Sequence, residues 1–124
     1  MGLNFISEQM TALEIRYEFG EWTSEIKYPY FVGEITEDPT TTEDGLEEST
    51  MILTGFHRGN FIDLATIKNK IKQHFDPNHG LRAVTEEGGS IAVFFDGSFY
   101  IPTGEAELKK IQINLKIKQW KGVL

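Results

Sequence analysis

The stretch "LKKIQINLKIKQWKG", residues 108–122, restricts what this chain can fold into more than any other. Ile111, Ile113, Leu115 and Ile117 alternate with Gln112, Asn114, Lys116 and Lys118. That is the two-residue period of a strand with one dry and one wet face. A helix would scatter the same lysines all round its axis. The stretch therefore predicts a half-buried strand whose wet face is basic, with five lysines and no carboxylate. What that face meets is the functional question.

A chain of 124 residues makes one domain, residues 1–124, because single domains commonly run to about 100–150 residues. With 40% hydrophobic and 25% charged residues the composition is that of a globular protein rather than a disordered one. The absence of cysteine removes disulfides, thiolate nucleophiles and Cys-type metal sites, and favours a reducing compartment. No apolar run approaches the ~20 residues of a membrane helix, and Met1-Gly2-Leu3-Asn4-Phe5-Ile6 has no basic leader and lacks the Ser or Thr of a myristoylation signal. The expectation is an untargeted soluble protein with no membrane partner.

The net charge of −7 conceals a polarity. Residues 34–48 hold seven acids (Glu34, Glu37, Asp38, Glu43, Asp44, Glu47, Glu48) and no base, whereas residues 108–124 hold Lys109, Lys110, Lys116, Lys118 and Lys121 and no acid. Two readings stand. Either each is a solvated face, or the acidic part of one copy meets the basic part of the next, since charge complementarity sets register and steers encounter. Duplex DNA fits the basic strand poorly, because five lysines on an acidic body, with no arginine among them, make a weak footprint.

Along the chain, Ile6, Met10, Leu13 and Tyr17 form one stripe of an amphipathic helix that Gly20 would end. Glu25 to Thr36 reads as a strand with Pro29 near its start, and Met51 to Phe56 as its hairpin partner. Between them "EDPTTTEDGLEES", residues 37–49, has the composition of a long exposed acidic loop. In "GNFIDLATIKNKIKQHF" Asn60 is a cap, Asp63 occupies a capping-box position, and Leu64, Ile67, Ile71 and Phe75 form the apolar stripe. Leu81–Thr85, Ile91–Phe95 and Phe99–Ile101 read as short strands, the last two joined by a hairpin at Asp96-Gly97, and Gly104 turns the chain into the final strand. The predicted fold is α+β, a single mostly antiparallel sheet with two helices against it, in the order α-β-β-α-β-β-β(-β), with a long acidic hairpin flap.

Chemistry is sparse. His74, Asp76 and His79 group the metal-ligand types, but they straddle a helix end and Pro77 and so lack the fixed i, i+4 geometry of two helical ligands. They predict a polar helix C-terminus, with a small metal-dependent enzyme as the alternative. His57 stands at a strand-to-helix turn where an anion could bind, although a turn histidine without function is commoner. No nucleophile elbow, phosphate loop or dinucleotide fingerprint is present, so no catalytic, cofactor-binding or metal-binding residue is assigned and no cofactor is expected. Aromatic residues gather before the flap (Trp22, Tyr28, Tyr30, Phe31) and around the second hairpin (Phe94, Phe95, Phe99, Tyr100). Tyr28 and Tyr30 share one strand face and Phe31 takes the other, so either some rings lie at a protein interface or the sheet is covered on both faces.

The succession "YPYFVGEITEDPTTTEDGLEESTMILTGFHRG", a lysine-rich helix and "IPTGEAELKKIQINLKIKQW" resembles a family of small proteins in the morphogenesis modules of long-tailed, siphovirus-type bacteriophages and prophages of Gram-positive bacteria, the tail completion or tail terminator proteins. The resemblance covers about residues 25–121. It implies a small α+β fold that assembles as a ring, typically hexameric, on the head-proximal end of the tail tube. There it halts tube polymerisation and offers a surface to the head connector, without catalysis. The implied partners are further copies of the chain, the tail tube protein and the head–tail connector protein, with DNA only in passage. The implied location is the host cytoplasm during assembly and then the virion. A head-closure or head–tail joining adaptor is the alternative role. A lumen that passes DNA should repel phosphate, so the flap, Glu37 to Glu48, is expected to face the lumen or the neighbouring subunit. The candidate contacts are Glu37, Asp38, Glu43, Asp44, Glu47 and Glu48 on the acidic side, Lys109, Lys110, Lys116 and Lys118 on the basic side, and Tyr28 and Tyr30 as exposed rings.

Overall fold

A thirteen-residue ladder organises the molecule. In the computed structural model, which describes residues 2–37, 45–84 and 88–120, the basic stretch is a strand paired antiparallel along its whole length, from Trp120 opposite Leu46 to Leu108 opposite Arg58. The elements run α1 (Gly2–Ala12), β1 (Tyr17–Phe19), β2 (Tyr30–Glu37), β3 (Leu46–Arg58), α2 (Phe61–His74), β4 (Leu81–Val84), β5 (Ser90–Ile101) and β6 (Leu108–Trp120). All six strands share one sheet, in the order β1-β2-β3-β6-β5-β4.

The alternation in β6 has the predicted consequence. Ile111, Ile113, Leu115 and Ile117 are buried, level with Met51 and Leu53 of β3 and with Ile91, Val93 and Phe95 of β5. Paired residues share a face of the sheet. Both helices cover that same face, α1 through Ile6 and Met10, α2 through Leu64 and Ile71, with Phe75 at its C-cap. Burying each such side chain contributes about 1.5–3 kcal/mol, so this single layer between helices and sheet is the core. The start of α2 is as its sequence predicts, the Asn60 side chain accepting a hydrogen bond from the Asp63 amide at 3.1 Å.

The sheet departs from the expected order. α1 stops at Ala12, not near Gly20, and Glu14 takes a left-handed φ of 60° just beyond it. Tyr17, the fourth member of the expected helical stripe, instead opens β1, which runs parallel to β2. Its phenol lies across Gly33 of β2, where an added Cβ would stand 2.5 Å from Oη. That tertiary contact replaces the helical register. The sheet is therefore mixed, with one parallel pair at its edge.

Two further expectations are corrected. β3 begins at Leu46 rather than Met51, and β2 continues through Glu37, so Glu37, Glu47 and Glu48 belong to strands and not to a loop. The length of β6 is the reason, since it offers ladder partners all the way to Leu46. Asp38, Glu43 and Asp44 lie outside the described residues. Asp96-Gly97 is not a hairpin. Phe95 and Ser98 pair with Leu115 and Ile113 of the same strand, so β5 is continuous and the two residues form a bulge, with Gly97 at φ 106°.

Candidate functional site

Because both helices lie on one side, the opposite face of the sheet has no covering layer among the described residues. Its even-numbered positions in β2, β3 and β6 are half-buried or exposed, while the odd-numbered positions around the centre are buried. It carries Arg58, Arg82, Lys110, Lys116 and Lys118 against Glu18, Glu34, Glu48 and, in the β5 bulge opposite Asn114, Asp96 among the described residues, a balance of +1 on a chain of −7. An acidic protein thus presents a sheet face close to neutral.

At one end of this face lies a row of aromatic rings. Tyr30 is opposite Phe56, and Phe56 is opposite Lys110. The Tyr30 and Phe56 rings stack at 5.1 Å, Trp22 closes on Tyr30 at 4.7 Å, and Tyr28 lies 5.7 Å from Tyr30. Two cations rest on the row, Lys110 Nζ 5.4 Å above Phe56 and the Arg58 guanidinium 5.7 Å from Tyr28. A hydrogen bond to Tyr28 raises the Arg58 pKa still further, and burial together with the nearby Tyr28 raises that of Tyr30. The loop before β2 is held by Glu18, whose carboxylate accepts from Thr23 Oγ1 at 2.6 Å, from the Thr23 amide at 3.1 Å and from the Ser24 amide at 3.3 Å. These bonds, first those of Thr23 and Ser24, keep its pKa below the usual carboxylate range. In this way Glu18 sets the place of Trp22.

At the other end, Glu48 stands between two lysines, 3.8 Å from Lys116 and 3.9 Å from Lys118. Lys118 and Arg82 also flank the Phe94 ring, each 5.7 Å from its centroid. Between the ends the face is polar, with Gln112 donating to Asn114 at 3.2 Å.

The sequence candidates therefore separate. Tyr28, Tyr30 and Lys110 meet at the aromatic end; Glu48, Lys116 and Lys118 meet at the other. Lys109 points to the helix side, 4.9 Å over the Phe61 ring, where Phe61, Ile62, Ala65 and Tyr100 line a shallow apolar hollow of about 380 Å³. Glu37 and Glu47 are exposed, on the helix side of the sheet. Phe56 and Arg58 were not singled out from sequence. The available signal was their even-numbered phase with Ile52 and Thr54, which places them on the uncovered face.

The residues of the metal alternative turn to separate partners. His74 turns to α1, its Nε2 2.7 Å from Gln9 Oε1, and burial lowers its pKa. Asp76 instead accepts from the amides of Asn78 and His79 at 2.7 and 3.1 Å, which lowers its pKa. Among the described residues no group of three His, Asp or Glu could hold a metal ion. His57 is likewise committed, Nε2 lying 2.9 Å from Asp63 Oδ2 at the start of α2. No helix among the described residues is long and apolar enough to cross a membrane. In comparison with known proteins, the chain matches no protein-family model and no curated protein.

Proposed function

We propose that the protein is a non-enzymatic structural subunit of a long-tailed phage or prophage, which caps the head-proximal end of the tail tube, stops its polymerisation and helps join tail to head. The observation that supports this best is the uncovered sheet face. Six strands with both helices on one side leave a broad surface bearing Trp, Tyr and Arg, the residue types that dominate protein–protein hot spots. The α+β architecture agrees with the fold that the family resemblance implies. The surfaces described carry aromatic rings and paired charges, which suit docking rather than bond-breaking chemistry.

In this reading the partners are further copies of the chain in a ring, the tail tube protein and the head–tail connector, and DNA only passes through. Electron microscopy of particles assembled in a host carrying the phage with this gene disrupted tests it. Overlong tails without heads are expected. Tails of normal length that fail to join heads would assign the adaptor role instead, and intact infectious particles would overturn both.

A further inference from the structure

One edge of the sheet is open and uncharged. β4 pairs only with the Ser90–Val93 part of β5, and the Phe95 amide then donates to the Phe75 carbonyl at 2.8 Å. Beyond that point Ser98 to Ile101 pair with β6 on one side and, among the described residues, with no strand on the other. Edge strands usually carry charges or proline that discourage further pairing. The part of β2 that β1 leaves unpaired does so through Glu34 and Glu37, and β4 does so through Arg82. Between the bulge at Asp96-Gly97 and Pro102, the run Ser98-Phe99-Tyr100-Ile101 has no such residue, and Phe99 and Tyr100 are 50% and 42% exposed.

α2 supplies a wall beside this edge. Phe61, Ala65, Lys68 and Lys72 recur at i, i+4, i+7 and i+11, a second stripe next to the core stripe of Leu64, Ile67 and Ile71. Both ends of the second stripe touch β5, the Phe61 ring edge-on to Tyr100 at 5.0 Å and Lys72 Nζ 5.8 Å from the centroid of Phe95. The opposite flank of the helix is taken, since Lys70 donates to the Leu13 carbonyl and His74 bonds to Gln9. At one end the wall is apolar, the hollow of Phe61, Ile62, Ala65 and Tyr100. At the other it is basic, because among the described residues neither Lys68 nor Lys72 has a carboxylate partner. Asp76, just past the helix, is engaged by the amides of Asn78 and His79.

We propose that a strand from another protein adds to the open edge of β5, antiparallel to it, with an apolar side chain in the hollow and carboxylates against Lys68 and Lys72. Unpaired main-chain groups specify an extended chain as the occupant, the hollow specifies an apolar residue, and the two lysines specify acids. Alternate residues of a strand share a face, so the apolar residue and the acids occupy every second position of the partner. Ile101 to Phe95 covers about 20 Å of strand and Phe61 to Lys72 about 16 Å of helix, so a segment of about seven residues spans the site. This edge is separate from the aromatic sheet face and its occupation needs no tail, so it stands or falls apart from the function proposed above.

The probe is the end-blocked peptide Leu-Thr-Val-Thr-Glu-Thr-Glu, which brings Leu to the hollow and both Glu to the lysines when it runs antiparallel to β5. It is titrated to millimolar concentration into the isotope-labelled full-length chain, with amide shifts and hydrogen exchange read by NMR. Saturable shifts confined to β5 from Gly97 to Ile101 and to α2, with slowed exchange between Ser98 and Ile101, are expected. Ile62→Glu, at a side chain 72% exposed, and the double variant Lys68→Glu/Lys72→Glu should each weaken binding about tenfold or more without disturbing the rest of the spectrum. The double variant should instead bind the peptide in which both Glu are replaced by Lys. No saturable shift, shifts centred on Tyr30 and Phe56, equal binding of a peptide of the same composition without the alternation, or variants that bind like wild type would each overturn the proposal. Concentration-dependent association of the chain alone that Ile62→Glu abolishes would also overturn it, giving the edge to a second copy.

Discussion

At the scale of single residues, two glycines admit two rings into the sheet. A Cβ on Gly55 would stand 2.4 Å from the Phe31 ring, and one on Gly33 would stand 2.5 Å from the Tyr17 hydroxyl. Phe31 is fully buried and has no room to retreat. Overpacking of this kind costs about 1–3 kcal/mol, so Gly55→Ala should lower the unfolding free energy by that much, read as a lower urea midpoint at an unchanged denaturant slope. Tyr17 carries the companion prediction. Burial raises its phenol pKa from 10.0 to about 12. A raised folded-state pKa favours the neutral, protonated ring, so its stabilisation is full below pH 10.0 and is lost as pH climbs towards 12. Urea titrations between pH 9 and 12 should show stability falling more steeply in wild type than in Tyr17→Phe, with pH values taken to about half a unit. Neither ring's role was legible in sequence, because each glycine lies on a neighbouring strand, 16 residues from Tyr17 and 24 from Phe31 along the chain, and gives no local sign of which ring will lie on it.

At the scale of elements, α2 was the most legible. Its cap, its stripe and its end are local features, and the structure keeps all three, Leu64 and Ile71 fully buried and Ile67 packed partly against the core. Asn60→Ala should cost about 1 kcal/mol, measured by thermal or urea unfolding, because the Asp63 amide loses its acceptor. β5 shows the opposite case. Asp96-Gly97 has the composition of a two-residue hairpin, yet a bulge and a hairpin ask for the same glycine, since both need positive φ. Which one forms depends on whether the residues on either side pair with each other or with a third strand. Here both halves pair with β6. β1 was missed for a similar reason, as three residues beside an edge leave no periodicity to detect.

At the scale of the whole molecule, the distribution of layers and charges decides what the protein can do. Among the described residues the core cluster lies on one side of the sheet, which is why the aromatic and cationic residues of the other side remain at the surface. The tail-length experiment acts at this scale, on the assembled particle. Sequence by itself determined the α+β class, the dry face of β6 and the start of α2, because the period of apolar residues and a capping side chain act over a few neighbours. Only the tertiary structure decided that Lys116 and Lys118 meet Glu48 of their own chain while Lys110 and Arg58 sit among aromatic rings. Those assignments follow from ladder register between strands some sixty residues apart, about which a count of charges along the chain carries no information.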